Sequence, residues 1–251
     1  MERELVFMEV NIDDVKINYV DYGNKDGKAI LLLHGWGQNI EMMEPLGNPF
    51  SDRYRIVIPD LPGFGKSEEP KEDWGPDDYV KCLEDFSKKL NIKEPIVIGH
   101  SFGGRLAILY ASRNKVYRLI LFGSPVRPEA STKSLKVRFL KKVKSLPGME
   151  GLAEKAKKYI GSRDYKAASP VMRKTLVNTV NRDLTEDSKK IEAPTLMIWG
   201  DYDTEASIDD AHLLEKTIKD SALIVLPGTH YAYLENIGRV ISILDNFFGG
   251  K

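Results

Sequence analysis

A serine set among glycines, Gly99-His100-Ser101-Phe102-Gly103-Gly104, follows the apolar run PIVIG (95–99) and precedes a helical pattern. Gly-x-Ser-x-Gly between a strand and a helix is the sequence form of a sharp turn that lifts a hydroxyl clear of a sheet edge. The glycines allow backbone to approach where a Cβ would collide. The helix behind Ser101 turns the positive end of its dipole toward developing negative charge. Ser101 is therefore the candidate nucleophile, and attack on an acyl carbon is the chemistry it suits.

A serine needs a base to react at neutral pH. The chain has four histidines: His34, His100, His212 and His230. His100 flanks Ser101 inside the turn and is expected to point elsewhere, as a structural or pocket-lining ring. His34 closes the run AILLL (29–33) and belongs to a His-Gly turn. His212 falls in a polar helical stretch and is expected to be exposed. His230 lies in LPGTHYAYLEN, just after the last apolar run, where a loop can reach the same sheet edge. It is the candidate base. The carboxylate that orients such a base comes between serine and histidine in this order of parts. There TLMIWG (195–200) runs into Asp201-Tyr202-Asp203. Asp203 is the preferred acid, with Asp201 the alternative; the other would cap the turn. RLILFG (118–123) runs into Ser124, so that strand end offers no acid.

The tetrahedral intermediate of acyl transfer needs preorganised donors. The backbone N–H of Phe102 is one candidate. The loop His34-Gly35-Trp36-Gly37-Gln38 supplies the other, at the N–H of Trp36. The Trp36 side chain, Gln38 and Tyr231 are candidate substrate contacts. Nothing in this scheme calls for a metal or an organic cofactor.

The elements that must hold these residues alternate. Strand patterns at 6–10 and 15–23 come first, the second with the alternation of a half-exposed strand. Short apolar runs follow at 29–33, 55–58, 95–99, 118–123, 195–200 and 222–226, the form of strands buried on both faces of a parallel sheet. Helical patterns lie between them, one opened by Pro76 with Tyr79, Val80, Leu83, Phe86 and Leu90 on one face. Others cover 102–113, 205–218 and a final stretch through Val240, Leu244 and Phe247. This alternation predicts an α/β fold. It breaks between about 126 and 190, which reads as amphipathic helices on Leu135 and Phe139, on Leu152 and Ile160, and on Met172, Leu176 and Val180. We expect a core of 1–125 and 191–251 with a helical cap inserted at 126–190.

Lys+Arg and Asp+Glu both number 37, so net charge is zero, which argues against nucleic-acid binding. The charge is unevenly placed: 126–190 carries +10 and the remainder −10. Attraction between cap and body accounts for this, and recruitment of an anion is the sharper alternative. Apolar residues make up 42%, enough for a core, and no run is long enough to span a membrane. The acidic start lacks the apolar stretch of a signal peptide. The lone Cys82 excludes an internal disulfide and reads as a small core residue. A soluble cytoplasmic setting is the expectation.

The segments LLLHGWGQN, PDLPGFGKSE, VIGHSFGGR, LMIWGDYD and LPGTHYAYLEN together resemble the α/β-hydrolase superfamily, in its small capped serine-hydrolase form. The resemblance implies a mostly parallel eight-stranded sheet flanked by helices, with a cap after the sixth strand. It matches Ser101 to the nucleophile, His230 to the base and Asp203 to the acid after the seventh strand. It matches Trp36 and Phe102 to the oxyanion positions, and makes PDLPGFGKSE a mostly structural loop. Thr229 stands where the family often has glycine, and Ile237 where it often has proline. Members with an aspartate nucleophile, the haloalkane dehalogenases and epoxide hydrolases, are disfavoured by Ser101. The HGWGQN loop is similar to that of carrier-protein methyl esterases, which implies an acidic carrier protein as a partner. Hydrolysis of a small-molecule ester or thioester is the expected activity. Carbon–carbon bond hydrolysis of dienone acids, or a hydrolase-fold sensor acting through a protein partner, are the alternatives.

Overall fold

The computed structural model describes residues 5–128 and 168–249. Its strands are β1 (Phe7–Ile12), β2 (Val15–Gly23), β3 (Ala29–Leu33), β4 (Arg55–Pro59), β5 (Ile96–His100), β6 (Arg118–Phe122), β7 (Thr195–Gly200) and β8 (Ser221–Leu226). They form one sheet in the order β1-β2-β4-β3-β5-β6-β7-β8. β2 pairs antiparallel with β1 and β4, and the other pairings are parallel. The helices are α1 (Ile40–Gly47), α2 (Pro76–Lys89), α3 (Phe102–Arg113), α4 (Pro170–Asn181), α5 (Thr185–Ser188), α6 (Ile208–Thr217), α7 (Ala232–Glu235) and α8 (Ile237–Phe248).

The two-residue period of each strand divides the core. Leu31, Leu33, Val97, Leu119, Leu121 and Trp199 face a layer built from α2, α3 and α6. Ile30, Leu32, Ile96, Ile98, Ile120 and Ile198 face α1 and α8. Each such side chain contributes roughly 1.5–3 kcal/mol on burial, so the continuous apolar runs are what seat the sheet between two helical layers. The chain leaves β3 for α1 on one face and leaves β5 for α3 on the other. Adjacent parallel strands whose connections diverge in this way open a crevice beyond their carboxyl ends. Ser101 and the His34–Gln38 loop flank that crevice.

Asp60, at the end of β4, ties three segments together from a buried position. Its Oδ2 accepts from Asn18 Nδ2 at 2.7 Å and from the Lys66 N–H at 2.8 Å, and its Oδ1 accepts from the Ile40 N–H at 2.9 Å. The PDLPGFGKSE segment is thus a scaffold for β2, α1 and its own turn. Gly65, at φ +56°, leaves no room for a Cβ beside this carboxylate.

Four elements differ from the expectation. Asn18 and Val20 of β2 are buried, because β2 is hydrogen-bonded on both sides and Asn18 is committed to Asp60. β8 is the outer strand, paired only with β7, so it is partly exposed along most of its length. Sequence reasoning missed α1, whose helical pattern is interrupted by Pro45; its Asn39 cap, accepting from Glu41 N–H, was the available signal. In α4 the buried residues are Met172, Thr175 and Thr179, not Met172, Leu176 and Val180. The threonine side faces the body, where Thr175 Oγ1 accepts from the Trp74 N–H at 3.0 Å.

The expected helices on Leu135 and Leu152 lie outside the described residues. Of the 126–190 stretch, α4 and α5 are described, and α5 packs against α3 and α6. The Leu184 N–H donates to Val126 O at 2.9 Å, closing the two ends of the stretch on each other. Arg105 of α3 reinforces that junction from below. Its guanidinium donates to Pro125 O at 2.8 Å, to Thr179 O at 2.9 Å and to Arg182 O. Burial pushes its pKa down to about 10, a value at which it is still charged at neutral pH.

Candidate active site

Ser101 joins β5 to α3 with φ 52° and ψ −111°. A non-glycine residue at positive φ carries a backbone cost of order 1–3 kcal/mol and persists only where its surroundings enforce it. Here the Ser101 N–H donates to Phe122 O at 2.9 Å, and Arg105 N–H donates to Ser101 O at 3.0 Å. A Cβ on Gly103 would fall 2.2 Å from Leu33 O, and one on Gly104 would fall 1.7 Å from Ser124 Oγ. The glycines are therefore what let α3 lie against β3 and β6. Ser101 Oγ is not spent on capping α3, and the first N–H groups of that helix, including that of Phe102, have no intrahelical acceptor.

His230 follows β8 and Asp203 follows β7. His230 Nδ1 lies 2.8 Å from Asp203 Oδ2, with side chains only 5% and 2% exposed. An ionised carboxylate can only accept, so Nδ1 carries the proton and Nε2 keeps its lone pair. Burial pushes the Asp203 carboxyl up, but the hydrogen bond from His230 and those from the Ala206 and Glu205 N–H groups outweigh it and hold the carboxyl below its usual range. Both backbone donors reach Asp203 Oδ1 at 2.8 Å. Asp201 is exposed and accepts from the Gly228 N–H at 2.9 Å, the turn-capping role. A Cβ on Gly123, after β6, would lie 3.0 Å from both His230 Nδ1 and Asp203 Oδ2. The residue before it, Phe122, holds the Ser101 backbone, so the structure gathers Ser101, His230 and Asp203 at one edge of the sheet.

The loop after β3 is braced from within. Gln38 Oε1 accepts from the Gly35 N–H at 2.9 Å, and Gln38 Nε2 donates to Tyr231 Oη at 3.4 Å. Gln38 and Tyr231 thus link the Trp36 loop to the His230 loop. The Trp36 ring meets Phe64 edge-on at 4.8 Å and Phe102 at 5.3 Å. Phe64 is an aromatic wall residue that sequence reasoning left inside a structural loop.

His34 and His100 are fully buried, and His212 is exposed, as expected. His34 Nε2 accepts from the Leu61 N–H at 2.9 Å. His100 Nε2 lies 3.1 Å from His230 O. Burial lowers the His34 pKa to about 4 and the His100 pKa to about 3. Both rings are neutral in the fold, whereas an unfolded chain protonates histidine near pH 6.5. The unfolded state therefore takes up protons first as the pH falls. The stability these rings allow is complete above about pH 6.5 and is lost progressively toward pH 3, at ~1.4 kcal/mol per unit of pH per ring. Urea midpoints should decline steadily from pH 7 to pH 4; a flat midpoint between pH 7 and pH 5 would contradict neutral buried rings.

Sequence reasoning also missed Glu205. Its Oε2 lies 3.8 Å from His230 Nε2. Its position two residues after Asp203 was the only signal available.

This sheet, with a strained serine at the β5–α3 turn, defines an α/β-hydrolase fold. Residues 28–148 match the family described as alpha/beta hydrolase fold. The AB hydrolase superfamily protein YisY of Bacillus subtilis (strain 168) is 28% identical over 247 residues, covering 88% of this chain and 91% of that one. A 2-hydroxy-6-oxo-6-(2'-aminophenyl)hexa-2,4-dienoic acid hydrolase of Metapseudomonas resinovorans is 27% identical over 251 residues, covering 90% and 85%. The crystal structure of a bacterial membrane phospholipase A superposes with a TM-score of 0.79 at 24% identity, covering 97% of this chain and 86% of that one. The chain has the α/β-hydrolase fold. Among the described residues no helix is long and apolar enough to cross a membrane.

Proposed function

We propose that this protein is a serine hydrolase of small to medium carboxylic esters or thioesters. The observation that carries the reading is the buried Asp203–His230 pair at the same sheet edge as a serine held at φ 52°. Ser101 Oγ attacks the acyl carbon as His230 Nε2 takes its proton. Asp203 fixes the ring's tautomer and stabilises the imidazolium. The N–H groups of Phe102 and Trp36 receive the oxyanion; each such donor is worth about 10²–10³ in rate. His230 then protonates the leaving alcohol or thiol, and the acyl-enzyme forms. Water, deprotonated by His230, cleaves that ester and restores Ser101. Trp36, Phe64 and Phe102 form the apolar wall against which an acyl chain packs.

Hydrolysis of p-nitrophenyl acetate, butyrate and octanoate tests the reading, with a dienone acid run in parallel. Turnover of the esters with a chain-length optimum is the expected result. Turnover of the dienone acid alone would establish carbon–carbon hydrolysis instead, the activity named for the Metapseudomonas relative. No turnover of either by folded protein would overturn both.

A further inference from the structure

We propose that Glu205 makes this site selective for substrates bearing a cationic nitrogen on the leaving-group side of the scissile bond. The inference rests on the Ser101–His230 reading above, because His230 Nε2 is the atom that hands a proton to the departing group. Glu205 Oε2 stands 3.8 Å from that atom. The Glu205 N–H is held by Asp203 Oδ1 at 2.8 Å, so the turn that fixes the acid also fixes the point from which this second carboxylate projects.

Among the described residues Glu205 has no Lys or Arg partner, and its side chain is 64% exposed. Three described cations of the 126–190 stretch are engaged with other carboxylates. Arg127 is paired with Asp210, Arg182 with Asp187 and Lys174 with Asp73. Among the described residues, the charge offered to a leaving group beside His230 is therefore negative. A carboxylate on the substrate would meet repulsion at that point, and an ammonium would find a carboxylate that no described Lys or Arg engages. Because Glu205 is solvent-exposed, the attraction is that of a surface ion pair, which amounts to about threefold to fivefold in relative rate.

The test uses three thioesters of one acyl group. They are acetylthiocholine, its neutral tert-butylethyl isostere and the anionic S-acetyl mercaptopropionate, followed by thiol release. Wild type is expected to rank them cation, neutral, anion in kcat/KM, with about threefold to fivefold between steps. Glu205→Gln should bring the three ratios close to one, and Glu205→Lys should invert their order. Raised salt should compress the wild-type ratios. The ratio is the readout, so a general loss of rate or partial misfolding does not imitate the result. Ser101-dependent turnover without a charge preference, or a preference that survives in Glu205→Gln, overturns the role of Glu205 and leaves the hydrolase reading standing. Absence of Ser101-dependent turnover on all three overturns the hydrolase reading, and this inference with it.

Discussion

Ser101→Ala is expected to lower kcat/KM for the best p-nitrophenyl ester by about 10⁴–10⁶-fold, on the scale seen when a hydrolase loses its nucleophile. The substitution removes one oxygen and keeps the Cβ, so the hydrogen bonds of the turn, which all run through the Ser101 backbone, are untouched. What disappears is the covalent route. The oxyanion donors and His230 remain, and they sustain the residual rate by acting on water directly. The urea midpoint should stay close to that of wild type, because no described partner of the hydroxyl is left unpaired. Retention of more than a few per cent of the activity would place the nucleophile elsewhere and remove the reading built on this turn.

Asp203→Asn is the second large effect, expected at about 10³–10⁴-fold in kcat, and it gains force from its control. An asparagine in that place can present its amide N–H to Nδ1. The ring then takes the other tautomer, with its proton on Nε2, and cannot accept from Ser101. Two backbone donors, from Glu205 and Ala206, hold Oδ1 in place, so the carboxamide is held in the same orientation. Asp201→Asn should change kcat by less than about threefold, since Asp201 only receives the Gly228 N–H and its amide oxygen can still do so. Equal losses from the two variants, or a larger loss from Asp201→Asn, would reverse the assignment of the acid.

The difference between these aspartates shows where sequence stops being informative. Strand–helix alternation, the glycines about Ser101 and the position of His230 after the last apolar run were legible, because each is a local pattern with one structural solution. The choice between Asp201 and Asp203 rested on where a three-residue loop aims its side chains, and spacing alone does not decide that. Glu205 escaped notice for the same reason: its proximity to Nε2 follows from the fold of a turn. The faces of α4 and β8 were misread because apolar residues there do not mark the buried side. Thr175 of α4 accepts from a backbone N–H of the body, and β8 lies at an edge that needs no second neighbour. Pro45 hid α1 by interrupting a pattern that tertiary packing completes.

The junction held by Arg105 has an evolutionary consequence. Val126 and Leu184 are joined by a single backbone hydrogen bond, and the guanidinium beneath grips carbonyl oxygens from both the outgoing and the returning chain. It reads backbone, which every sequence provides, and ignores side chains. That grip makes no demand on residue type, whereas α4 just before it docks on the body through Met172 and Thr175. The chemistry proposed for Ser101, His230 and Asp203 draws on side chains outside that grip. A change of residue type along the gripped backbone therefore leaves the grip itself intact.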